Sequence, residues 1–202
     1  MPAFLRVLLI VAIPAVTFVI PGKLMERWSG RAQVRRALDR AVADGTLQRE
    51  DAAYLNLRLR GYSLSAFRRY FGAMDDRTRS VEAKFLEMDL VFPFIYGGGL
   101  AAALLMAWAA LGRPVHPGWV VAPVLILVLA DWTENLATLG QIRRWNAGGP
   151  AALQPAWVRV ASLATTVKCV FIAVTVLLVV AMAAWLLVRS ATGRSAVAAA
   201  AR

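Results

Sequence analysis

Four stretches of the chain, residues 4–20, 90–111, 119–139 and 161–188, are apolar over about the length of a bilayer crossing. About 20 residues span the ~30 Å of hydrocarbon at a helical rise of about 1.5 Å. In lipid the backbone finds partners only inside a helix or a closed barrel. Residues 90–111 carry no charge, and 161–188 carry only Lys168. The expected fold is therefore an all-α integral membrane protein: four transmembrane helices in a bundle, with a helical cytoplasmic segment at 22–88 between the first and second spans. Composition agrees, since 59% of the 202 residues are hydrophobic and mean hydropathy is +0.59, above a soluble domain's usual apolar share.

The first stretch, FLRVLLIVAIPAVTFVI, has a signal-peptide-like core. Its basic flank is only Arg6, and no A-x-A-like site precedes Pro21, so a retained span is expected. Pro14 would kink that span without forbidding it. The one cysteine, Cys169, falls in the fourth span; it offers no internal disulfide and reads as inert packing.

A net charge of +11 raises the question of nucleic acid, but its distribution answers against it. Residues 23–89 hold 14 of the 23 Lys and Arg and 10 of the 12 acids, leaving +4 there and no basic stripe. Lys23, Arg27 and Lys84 flank the first long loop, and Arg143 and Arg144 follow the third span. The positive-inside rule then places 22–88 and 141–156 in the cytoplasm and both termini on the opposite side.

The 22–88 segment is too long for a structureless connection. Arg27, Arg31 and Arg35 recur at i+4 beside an apolar face of Val34, Leu38, Ala41 and Val42. Such a helix suits the bilayer surface, its arginines meeting anionic headgroups, or else packs on a neighbour. A second helix is expected from Thr46 to Arg60, and a third after the Gly61-Tyr62 break with Ser63 as its N-cap. That helix, turn and arginine-bearing helix resembles the turn of helix-turn-helix DNA binders. Phe67, Tyr70, Phe71 and Met74 on the would-be reading helix argue for packing instead. From Thr78 one continuous helix is expected to enter the second span, kinked at Pro93, with Gly97 to Gly99 allowing close approach of a helix or ligand.

The third span contains LADWTENLATL, residues 129–139. Asp131, Glu134 and Asn135 stand at i, i+3 and i+4, so they share one helix face. An isolated charge at mid-bilayer costs at least ~2.5–3.5 kcal/mol, which turns that face toward partners or a wet cavity. Counted from the cytoplasmic ends of their spans, Asp131 and Lys168 both lie roughly 15 Å deep, so an ion pair between them is expected. Tyr96 reaches the shallower level, and Glu87 and Asp89 stand at the mouth. Phe92, Phe94 and Trp132 would wall a pocket open toward the inner leaflet.

One lysine cannot satisfy Asp131, Glu134, Glu87 and Asp89 together. A carboxyl left over in low dielectric keeps its proton and becomes a general acid or base, a role expected of Glu134. Asp131 and Lys168 would be its electrostatic pair, Tyr96 or Asn135 hydrogen-bond donors, and Asp89, Glu87, Phe92 and Trp132 substrate contacts. The oxygen-rich set would also suit Mg²⁺ or Mn²⁺. The only histidine, His116, stands in the far-side link at 112–118 and H-E-x-x-H is absent, so no cofactor is expected, with a divalent cation at these oxygens as the competing alternative. The leading reading is a membrane protein that binds or modifies a lipid or isoprenoid-like molecule by acid–base chemistry. Two alternatives use the same residues: a proton- or cation-coupled transporter subunit, for which four spans call for a homo-oligomer, and a scaffold whose buried pair only fixes helix register.

Overall fold

Glycine and proline punctuate the chain into seven α-helices among the described residues. The computed structural model describes residues 3–112 and 118–200; the link at 113–117, with His116, lies outside the described residues. Helix α1 (Ala3–Ser29) contains Pro14 and Pro21 and stops at Gly30, whose φ of +76° favours glycine. Helix α2 (Ala32–Ala43) buries Val34, Ala37, Leu38 and Ala41 and ends before Gly45, at φ +72°.

The helix expected over Thr46 to Arg60 does not form. Two 3-10 turns, Arg49–Ala52 and Leu55–Leu57, take its place. Tertiary contacts override helix propensity here: Leu47, Ala52 and Leu55 turn inward while Leu57 and Leu59 point out. Buried Asp51 binds Arg58 (3.3 Å) and Arg69 (2.7 Å). Helix α3 (Leu64–Gly72) begins at the expected cap, where the Ser63 hydroxyl accepts from the Ala66 amide at 3.2 Å. Phe67, Tyr70, Phe71 and Met74 are all buried, with Phe71 6.4 Å from Trp145. The face a DNA reader would expose is core.

Helix α4 (Asp76–Met88) is capped by Asp75, which accepts from the Thr78 amide at 2.8 Å. The continuous helix expected from Thr78 is interrupted: α4 stops at Met88 and α5 (Phe92–Ala110) starts with Pro93 in its first turn. Proline lacks the N–H that would continue the ladder, and its ring crowds the preceding turn. Helix α6 (Gly118–Gly148) ends at Gly149, φ +66°. Helix α7 spans Pro155–Ala200.

No strand occurs among the described residues. Four stretches, Phe4–Ser29, Asp76–Ala110, Gly118–Ala152 and Pro155–Thr192, are long and apolar enough to cross a membrane. Helices α1, α5, α6 and α7 pack on one another, most extensively α6 on α7. Outward they present Val16, Leu125, Leu129, Leu163 and Leu177, an apolar exterior suited to lipid. The α5 glycines serve helix contacts: a Cβ on Gly97 would come 2.7 Å from Val128 of α6, and one on Gly99 would collide with Thr17 of α1, while Gly98 faces open space.

Candidate functional site

The break between α4 and α5 places the site. With no N–H on Pro93, the Asp89 carbonyl four residues back has no helical donor. Asn135 of α6 supplies one, its Nδ2 donating at 3.1 Å. One residue on, the Leu90 carbonyl accepts from Trp132 Nε1 at 2.9 Å. Two α6 side chains thus cap the broken turn and hold Asp89 against α6.

Asp131 lies between two donors from other helices, with Asn135 Nδ2 of its own helix a third at 3.5 Å. Tyr96 Oη donates to its Oδ2 at 2.6 Å, and Lys168 Nζ to its Oδ1 at 3.1 Å. The ion pair expected from depth alone is present. Lys168 also pairs with Glu134, so it bridges two carboxylates within one turn of α6. All of these residues are buried, Asn135 and Glu134 almost completely. Burial of this kind is tolerable only when charges are paired and hydrogen-bonded.

The distribution of partners differs from the expected one. Glu134, cast as the leftover carboxyl, is engaged by Lys168. Among the described buried carboxylates, the one with no ion pair or side-chain hydrogen bond is Asp89, 4% exposed. Asn135, expected to face a substrate, is committed to the backbone of the turn. Glu87 stands apart, solvent-exposed and 3.9 Å from Arg143. Phe94 is 62% exposed and packs on Trp132 at 4.6 Å, outside the site.

A cavity of about 330 Å³ opens onto this cluster, within the size range of small-molecule sites. Asp89, Tyr96, Asp131 and Lys168 form its polar end, and Phe18, Met25, Phe92 and Ile172 its apolar wall. Its rim carries Val19, Lys23, Glu26 and Leu57, all exposed. Of the residues expected at the site, Phe92 lines this cavity with Asp89, Tyr96, Asp131 and Lys168, whereas Phe94, Trp132, Glu87, Asn135 and Glu134 do not.

Beside the cavity stands a second buried pair that the sequence reading missed. Arg31, expected at anionic headgroups, is 3% exposed and binds Glu82 in bidentate fashion, at 2.9 and 3.0 Å. Asn56 Oδ1 accepts a third bond at 3.1 Å, Tyr70 donates to Glu82 at 3.2 Å, and the guanidinium lies over the Tyr54 and Phe85 rings at 4.0 and 3.6 Å. The signal was there: Arg31 precedes Val34 by three residues and Leu38 by seven, which puts it on the buried stripe. Burial, reinforced by the charge of Glu82, pushes the Tyr70 hydroxyl well above its ordinary range and keeps it a donor.

Tyr62 was also missed. Its amide donates to Ser162 Oγ on α7 at 2.7 Å, and its hydroxyl is buried near Thr138, Thr165 and Glu134, where burial first and Glu134 second push it up to about 12. Gly61, at φ +68°, makes this docking feasible, since a Cβ there would collide with Ser162.

Among the described residues no group of three or more His, Cys, Asp or Glu side chains converges as a metal site would. Lys168 Nζ takes the place between Asp131 and Glu134 that a cation would occupy. What the arrangement offers chemically is an apolar slot ending in a free carboxylate, a phenol and a carboxylate–ammonium pair. Comparison of the chain with protein-family models, curated proteins and solved structures found no match.

Proposed function

We propose that the protein is a multi-pass membrane protein that binds a lipid or isoprenoid-like amphiphile in this cavity and acts on its head by proton transfer. The observation that carries the reading is an apolar cavity ending at Asp89, a buried carboxylate with no partner of its own. A group so placed exchanges a proton or an ion with whatever occupies the cavity. Tyr96, fixed by Asp131 and through it by Lys168, supplies the hydrogen bond that orients the head. Residues 22–88 and 141–156 face the cytoplasm in this reading, which brings the rim to the inner leaflet, and the exposed Arg27 and Arg35 meet its anionic headgroups.

The test is lipid identification by mass spectrometry on protein extracted in mild detergent. Wild type is expected to retain a defined amphiphile that Cys169→Phe, a substitution at a residue lining the cavity, releases without loss of fold. Equal lipid content in the two, matching the bulk membrane, sinks the reading.

A scaffold reading is favoured by one observation, the balance of Lys168 by Asp131 and Glu134. Buried pairs of this kind fix helix register in some proteins. It leaves the unpartnered Asp89 and the cavity without a purpose.

A further inference from the structure

We infer that the head of the amphiphile is a cation, an organic ammonium, rather than a phosphate or a neutral hydroxyl. The inference rests on the amphiphile reading above and names its ligand class. Charge is the first ground. Arg31 is committed to Glu82, and Lys168 is shared by Asp131 and Glu134. The buried cations are thus engaged by other carboxylates, and Asp89 adds a carboxylate that makes no ion pair with either. An anion entering the cavity would meet Arg31 and Lys168 already paired with carboxylates, and otherwise Lys23 at the exposed rim, one turn from Glu26. A cation would find Asp89 directly, with Asp131 behind it.

Aromatic geometry is the second ground and is independent of the first. Phe18 and Phe92 of the apolar wall form a mutually contacting trio with Tyr96 of the polar end, with centroids 5.6, 5.5 and 4.9 Å apart. Phe18 meets both partners tilted or edge-on, and all three rings line the cavity. Ring faces beside a carboxylate hold quaternary and protonated ammonium groups by cation–π attraction and charge. A phosphate would be repelled by both.

The experiment uses the full-length protein in phosphatidylcholine nanodiscs with three photoreactive single-chain probes of equal tail length, ending in trimethylammonium, hydroxyl or phosphate. Crosslinked peptides are mapped and normalised to labelling of the outward faces of α6 and α7. The ammonium probe is expected to label the peptides holding Phe18–Met25 and Phe92–Tyr96 about tenfold or more over the other two. Asp89→Asn is expected to abolish that preference. Comparison among probes on wild type stands even if this variant fails to fold. Equal cavity labelling by all three, or preference for phosphate, overturns the cationic head and leaves the amphiphile reading intact. Labelling confined to the outward faces overturns both.

Discussion

Asn135 of α6 donates through Nδ2 to the carbonyl of Asp89 at 3.1 Å, the oxygen that Pro93 leaves without a helical donor. The turn carrying the unpaired carboxylate is therefore held by a residue on another helix. Without that bond a buried carbonyl would stand bare at the wall of the cavity.

Replacing Asn135 by Leu is expected to cost about 1–3 kcal/mol, the penalty of an unsatisfied buried polar group. Pro93→Ala restores an N–H to the ladder, so the double variant should lose less than Asn135→Leu alone. Unfolding in one mild detergent measures both. An identical cost with and without Pro93→Ala would falsify the link between proline and amide.

Lys168→Met leaves Asp131 and Glu134 facing each other with no cation between them. The expected loss is about 3–5 kcal/mol, as for one partner removed from a buried pair. Adding Asp131→Asn and Glu134→Gln should recover most of it, because the residual charge is then gone. If the triple variant melts as low as the single one, packing of the lysine stem rather than charge is what matters.

Two adjacent glycines on α5 should respond oppositely. Gly99→Ala drives a methyl into Thr17 of α1, for which about 1–3 kcal/mol of overpacking is expected. Gly98→Ala meets nothing within 4 Å and should be neutral or slightly stabilising, since alanine is the better helix former. Equal melting temperatures for the two variants would show that α1 and α5 do not pack through Gly99.

Tyr62 makes stability depend on alkaline pH. Its hydroxyl, pushed up to about 12 by burial, keeps its proton in the folded chain at pH values where an unfolded tyrosine, near about 10, has lost it. The contribution is complete below about pH 10 and is lost as pH rises through about 12. Tyr62→Phe should flatten that limb, and the tyrosinate absorbance lost in the variant should titrate late in wild type. A normal midpoint for that absorbance would place the hydroxyl in water.

Local period and composition were enough to locate the four apolar helices, the Ser63 cap and the shared face of Asp131, Glu134 and Asn135. These depend on hydrophobicity and on the 3.6-residue turn, which are properties of the neighbouring residues alone. The level match of Asp131 with Lys168 was legible for the same reason, since helical rise converts sequence separation into depth. The 46–60 segment was not legible. Its leucines fit a helix until Asp51 binds arginines seven and eighteen residues away.

Tertiary structure alone decided which acid stays without a partner. Counting charges showed that one lysine could not serve every carboxylate, and depth pointed to Glu134. The rotation of α6 against α7 instead brings Glu134 and Asp131 to the same Nζ, and the proline-broken turn sets Asp89 at the cavity wall. It likewise turned Arg31 inward onto Glu82, fifty-one residues away. Partner choice among buried charges turns on ångström differences in how helices are rotated and broken, and spacing along one chain does not contain that information.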